Sequence, residues 1–196
     1  MQKKKYTGLV IVGAVILLLV IFMVSTYNSL VKKEEKVKQQ WSEVQSTYQR
    51  RLDLVPNLVN TVKGVSEFEQ STLEQIAAAR GEALSGMSND ALTAENYTAQ
   101  QRAQDNLATA TNRLIVIIEK YPTLKGTAAY AGLQTQLEGT ERRIKVARND
   151  FNAAVADYNK QVRGFPGNLV AGLLGYKPKD GFEAVAGSDK SVEIKF

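Results

Sequence analysis

The 196-residue sequence contains no cysteine and no histidine. The first absence removes disulfides, thiolate nucleophiles and iron–sulfur ligation, and the second removes the imidazole base and the usual zinc ligands. Carboxylate chemistry stays open, but Asp53, Glu74, Glu141 and Asp150 stand among lysines and arginines at helical spacing, without a second acid in a hydrolytic or metal-binding motif. No dinucleotide fingerprint, Walker sequence or nucleophile elbow is present. The reading is a protein that is not an enzyme and needs no cofactor.

No block of five or six like charges occurs either, which argues against a nucleic-acid partner. The chain carries 25 Lys and Arg against 20 Asp and Glu, a formal net charge of +5. Three of the cations, Lys3, Lys4 and Lys5, precede residue 28 with no acid beside them, so the rest holds 22 basic and 20 acidic residues. The excess is a terminal flank and not a surface.

One long apolar run is present. Gly8 to Val24 is free of charge, and with Thr7, Ser25 and Thr26 it makes 20 residues, enough to cross a hydrocarbon core of about 30 Å as a helix. Val24-Ser25-Thr26-Tyr27 is a poor signal-peptidase site, so the segment reads as an uncleaved anchor. Lys32, Lys33, Lys36 and Lys38 beyond its far end nearly balance the three lysines before it. The lysines directly against the span favour a signal-anchor with its N-terminus in the cytoplasm and the bulk of the chain outside it, in the bacterial inner membrane.

Beyond the anchor, apolar residues recur at steps of three and four. The last long segment carries Tyr130, Leu133, Leu137, Thr140, Ile144, Ala147, Phe151, Ala154 and Tyr158. Earlier segments repeat the pattern with Trp41, Val44, Tyr48, Leu52, Val55, Val59 and Val62, and with Ala103, Leu107, Ala110, Leu114, Ile117 and Tyr121. Leu73, Ile76, Arg80 and Leu84 form a shorter stripe. Such stripes are the buried faces of amphipathic helices. Ser66 and Glu69 after Gly64 have the form of a capping box, Gly86 to Asp90 reads as a turn with an N-cap, and Tyr121-Pro122 separates the third helix from the fourth. Pro56 interrupts the first stripe and predicts a kink there, either a bend around the core or a partner surface.

The expected fold is all-α, with an N-terminal transmembrane helix followed by an elongated antiparallel four-helix bundle. It divides into a basic flank at 1–7, a span at 8–26, the bundle at 27–163, a short apolar segment at 164–177 and a tail at 178–196.

Several motifs lie along this frame in order. They are Tyr27-Asn28-Ser29-Leu30-Val31, Trp41, Tyr48-Gln49-Arg50-Arg51-Leu52-Asp53-Leu54-Val55-Pro56-Asn57-Leu58-Val59, Ala79-Arg80 and Tyr121-Pro122. Leu137-Glu138-Gly139-Thr140-Glu141, Ala147-Arg148-Asn149-Asp150-Phe151-Asn152, Tyr158-Asn159 and Phe165-Pro166 follow. The chain resembles the LemA family over nearly its whole length. The resemblance implies a bacterial single-span membrane protein with an antiparallel four-helix bundle and no established enzymatic activity. Some relatives carry a lipoprotein cysteine where Ser25-Thr26 stands here, which leaves anchoring to the span. A relative acts in magnetosome membrane biogenesis, and some members are encoded near membrane proteases. These associations imply a scaffold or adaptor in the cell envelope, working with the lipid bilayer and an envelope or membrane protein, a membrane protease among the candidates. The alternative is an oligomerising, membrane-shaping component that pairs with copies of itself.

Three sets of residues are candidates for specific roles. Asp53, Asn57 and Asn60 share one face of the first soluble helix, and Arg148, Asn152 and Asn159 share one face of the last. They form an interhelical polar seam, a partner site or two solvated faces. Phe165, Leu169, Leu173 and Tyr176 lie in an apolar stretch too short to span, which rests on the membrane interface or caps the core. Ile194 and Phe196 at the C-terminus have the form of a strand-adding peptide for a PDZ-like domain, against a flexible tail or a short strand laid along the helices.

Overall fold

The computed structural model describes residues 2–63, 70–87 and 93–182, with side chains from residue 8 onward. Among the described residues there are six helices: α1 (Gln2–Val62), α2 (Gln70–Met87), α3 (Ala94–Ile118), α4 (Pro122–Lys125), α5 (Ala128–Arg163) and α6 (Gly167–Leu173). No strand occurs among the described residues. The chain forms two compact units. Among the described residues, an anchor unit comprises those up to Gln40 together with Ala153–Lys179, and a core unit comprises those between Trp41 and Asn152 together with 180–182.

In the anchor unit, α1 is long and apolar enough to cross a membrane. Its large apolar side chains from Leu9 to Val24 all face outward, which water would not tolerate and acyl chains would. Burial begins at Thr26, Leu30 and Val37, one face of the same helix continued at steps of four and seven. The other buried residues of this unit are Ala154, Val155, Tyr158 and Val162 of α5 and Gly167, Val170 and Ala171 of α6.

In the core unit, four long helices and the short α4, through Leu124, share one hydrophobic core. Leu52, Val55, Leu58 and Val62 of α1 meet Ile76 and Ala83 of α2, Leu107, Leu114 and Ile118 of α3, and Tyr130 and Leu137 of α5. Side-chain pairs give the directions. Gln75 meets Arg113 and Glu82 meets Asn106, so α2 and α3 run antiparallel. Tyr48 meets Arg148 and Arg51 meets Glu141, so α1 and α5 do as well. Trp41 meets Tyr97 and Arg51 meets Gln104, so α1 and α3 run the same way.

The stripes of α1 and α5 are buried as expected, from Trp41 to Val62 and from Tyr130 to Tyr158, with Val59 and Leu133 only partly covered. Those of α2 and α3 need correction. The face of α3 passes through Ala103, Leu107, Thr111, Leu114 and Ile118, while Ala110, Ile117 and Tyr121 flank it. A straight helix has 3.6 residues per turn and drifts away from a strict heptad, so one step of four replaces a step of three. In α2 the buried residues are Thr72, Ile76 and Ala83, with Leu84 exposed. The buried hydroxyls of Thr111 and Thr140 return bonds of 2.8 Å to the carbonyls of Leu107 and Gln136, which removes the cost of placing them in a core.

The helix boundaries differ in one place. Gly86 and Met87 still belong to α2, and α3 is capped by Thr93, whose hydroxyl accepts from the Asn96 amide at 3.4 Å. The expected capping box at Ser66 and Glu69 and the turn residues Ser88 to Asp90 lie outside the described residues. Pro122 opens α4 at its first turn, and Thr127 caps α5 by accepting from the Tyr130 amide. Pro56 does not end α1, which continues for six residues to Val62.

Candidate functional site

The polar chemistry of the core unit centres on two arginines. Arg51 is only 2% exposed, among the most completely buried large side chains. A cation held there must have acceptors, since an unpaired buried charge costs several kcal/mol, roughly 3–5 when a partner is removed. Its Nη1 donates to the Gln104 backbone oxygen at 2.8 Å and to Gln104 Oε1 at 3.1 Å, and its Nη2 donates to Glu141 Oε2. One guanidinium thereby ties α1 to α3 and α5. Glu141 is about half exposed, so the carboxylate keeps part of its hydration and the pair avoids full desolvation.

Arg148 on α5 makes the second tie. Its Nε donates to the Tyr48 hydroxyl at 2.8 Å and its Nη2 to Asp105 Oδ1 at 3.0 Å. The guanidinium also lies over the rings of Tyr48 and Phe182, at 5.4 and 5.5 Å from their centroids. Burial lowers the tendency of Arg148 to hold its proton, but Tyr48 and Asp105 more than offset this and raise it above its ordinary value. Burial likewise raises the Tyr48 phenol, against the opposing pull of Arg148, so Tyr48 stays neutral and available as an acceptor. Next to this tie, the rings of Trp41, Tyr97, Phe151 and Phe182 cluster with centroids 4.7 to 5.9 Å apart.

The expected polar seam does not form between the residues named for it, because those on α1 take no part. Asp53, Asn57 and Asn60 are exposed, and Asp53 accepts only from Gln49, four residues earlier. They lie off the inward arc that runs through Leu52, Val55, Val59 and Val62, so no helix among the described residues covers them. On α5 the three polar residues are all engaged with other partners: Arg148 reaches α1 at Tyr48 and α3 at Asp105, and the two asparagines hold the segment that follows α6. Asn152 Nδ2 donates to the Phe182 carbonyl at 3.1 Å, and its Oδ1 accepts from the Phe182 amide at 2.8 Å. Its side-chain amide thus satisfies both backbone polar groups of a residue outside any helix.

Asn159 in the anchor unit uses the same chemistry on Lys179, donating to its carbonyl at 2.7 Å and accepting from its amide at 2.8 Å. Lys179 continues to Glu34 at 2.9 Å and lies 5.3 Å from the centroid of the Tyr158 ring, while the Tyr158 hydroxyl donates to the Lys177 carbonyl at 3.0 Å. Of the apolar candidates, Phe165, Leu169 and Leu173 are 83%, 64% and 72% exposed. Tyr176 is half-buried against Tyr27, ring to ring at 6.5 Å. Ile194 and Phe196 lie outside the described residues.

Sequence reasoning missed Arg51, Gln104, Asp105 and Phe182. Arg51 and Gln104 did carry a signal, because each is a polar residue beside a core position within a helical stripe. No group of three or more carboxylates that could hold a metal ion occurs among the described residues. Grooves of about 390 Å³ at Glu43, Arg142, Arg143 and Asp150, and about 580 Å³ at Gln75, Thr109 and Arg113, mark the surface of the core unit. A third, of about 420 Å³, lies in the anchor unit.

Two magnetosome proteins named MamQ 1 and MamQ 2 from Paramagnetospirillum magneticum are each 26% identical over 184 residues, covering 85% of this chain and 68% of theirs. Magnetosome protein MamQ from Magnetospirillum gryphiswaldense matches to the same extent. Protein LemA from Metamycoplasma hominis is 25% identical over 147 residues, covering 75% of this chain and 64% of that protein. The characteristic pattern of the LemA family itself extends over residues 40–196, from the start of the core unit through the clasped segment. With its arginine ties and asparagine clasps inside that stretch, the chain belongs to the LemA family.

Proposed function

We propose that this protein is a single-pass, non-enzymatic scaffold or adaptor of the bacterial inner membrane, its N-terminus in the cytoplasm and its core unit outside it. The observation that carries the reading is where the polar chemistry goes. The hydrogen bonds that Arg51, Arg148, Asn152 and Asn159 donate go to other parts of the same chain, so these four residues hold helices and the following segment in register and are not directed at a substrate. What remains for a partner is surface, part of it on α1, which continues from the apolar segment. An envelope protein, a membrane protease among the candidates, is the partner this reading expects. Cross-linking in intact membranes followed by mass spectrometry of the captured proteins tests it. A defined heteromeric partner is expected, and capture of this chain alone would overturn the adaptor role.

A second reading has its own support in the magnetosome proteins among the relatives and in the outward apolar side chains of α6. In it the chain forms homo-oligomers and shapes the membrane. Mass measurement in native membranes separates the two, since large homo-oligomers favour the second reading and small hetero-complexes the first.

A further inference from the structure

The anchor unit contains a cavity of about 420 Å³ where the apolar run of α1 ends. Phe22, Thr26 and Lys33 line it from one face of α1, Asp157 and Lys160 from α5, and Phe165 from the turn that leads into α6. Its lining is therefore apolar at the two phenylalanines and cationic at the two lysines. Lys33 is half-buried, and neither Lys33 nor Lys160 forms an ion pair among the described residues. Asp157 leaves the lining with one net positive charge.

The depth of this cavity follows from helix geometry. A hydrocarbon core of about 30 Å takes about 20 residues at 1.5 Å each, so a span beginning at Gly8 leaves the core near Tyr27. Phe22 and Thr26 lie just inside that level, and Lys33 lies roughly 9 Å beyond Tyr27 along the axis. Helix α6 sits at the same level, because Tyr176 just after it packs on Tyr27. It buries Gly167, Val170 and Ala171 and turns Leu169 and Leu173 outward, with Phe165 outward just ahead of it. That exposed apolar face adjoins the exposed apolar side chains of the span, so one medium must cover both.

We propose that α6 lies in the interfacial layer of the bilayer, with Phe165, Leu169 and Leu173 among acyl chains, and that the adjoining cavity takes the phosphate of a phospholipid headgroup between Lys33 and Lys160. Two lysines without an ion pair at one cavity, Lys33 half-buried and Lys160 exposed, are suited to an anionic phosphate, and the apolar lining accommodates the start of the acyl chains. The inference rests on the reading of α1 as a membrane anchor.

The absence of native cysteine allows single-site labelling of the full chain in nanodiscs of phosphatidylglycerol and phosphatidylcholine. Fluorophores on Leu173→Cys and Leu17→Cys are both expected to be quenched by brominated acyl chains. Quenching at 17 without quenching at 173 overturns the interfacial helix and leaves the anchor intact, whereas failure at 17 overturns the anchor reading itself. In native mass spectrometry the wild-type chain is expected to retain phosphatidylglycerol, and the Lys33→Gln/Lys160→Gln double variant to retain it several-fold less. Equal retention by both, or displacement of the lipid by millimolar inorganic phosphate, overturns the headgroup site.

Discussion

Arg80 Nε donates to the carbonyl oxygen of Leu52 at 3.1 Å, the acceptor that Pro56, four residues later, cannot serve. Proline lacks a backbone N–H and crowds the preceding turn, so an uncompensated proline inside a helix costs about 3 kcal/mol or more. Here a side chain from α2 supplies the missing donor, which accounts for α1 continuing to Val62 and fastens α2 to α1 at the same point. The polar residue in the α2 stripe thus has a backbone partner.

Removing that donor should matter only while the proline is present. Arg80→Ala is expected to lower the stability of the full chain in detergent by about 1–3 kcal/mol, the range for an orphaned carbonyl. In a Pro56→Ala background, where the backbone amide gained by the substitution takes over the carbonyl, the loss of Arg80 should cost appreciably less. Denaturant unfolding of the four chains of the cycle measures the coupling, and strictly additive effects would refute it.

Arg51 and Glu141 should respond unequally. Arg51→Ala leaves a void and strips Gln104 and Glu141 of their donor, so a loss of about 3 kcal/mol is expected. Glu141→Gln keeps a hydrogen-bond acceptor at a half-exposed position and should cost roughly 1 kcal/mol. Arg51→Met, which fills the volume without a charge, should recover much of the stability lost in Arg51→Ala. Equal melting temperatures for the Ala and Met variants would disprove this account.

The two asparagines should act locally on the segment they hold. Asn152→Asp keeps an acceptor for the Phe182 amide but sets a carboxylate against the Phe182 carbonyl, and it is expected to speed hydrogen exchange at Phe182 without altering the helix content. Gly181→Val should have the same effect from the other side, because any Cβ at 181 would fall 2.6 Å from Asn152 Oδ1. Unchanged exchange in both variants would show that the clasp contributes nothing.

Alkaline pH should weaken both units. Burial pushes the phenols of Tyr97 and Tyr158 up to about 12, from an unfolded value near 10. The folded state therefore holds these protons where the unfolded state has released them. The stabilising difference is complete below about pH 10 and is lost as the pH rises towards 12. Unfolding midpoints measured across this window should fall, and Tyr158→Phe should flatten part of the slope while losing the bond to the Lys177 carbonyl. A midpoint independent of pH between 10 and 12 would contradict the prediction.

The span, the helices and most of their inward faces are legible in the sequence by itself, because each is a matter of spacing within one segment. The charge-free run at Gly8 to Val24, the stripes through Trp41 to Val62 and Tyr130 to Tyr158, and the break at Pro122 need only local rules. Spacing did not reveal which polar residues are covered. Asp53, Asn57 and Asn60 show the same helical spacing as Asn152 and Asn159, yet they face solvent, while the latter pair hold a non-helical segment 20 to 30 residues further on. Arg51 meets acceptors 53 and 90 positions away, and Arg148 closes on Tyr48 across 100. Only the packed structure decides such pairs, because a buried charge is tolerable only where distant segments bring their oxygens to it.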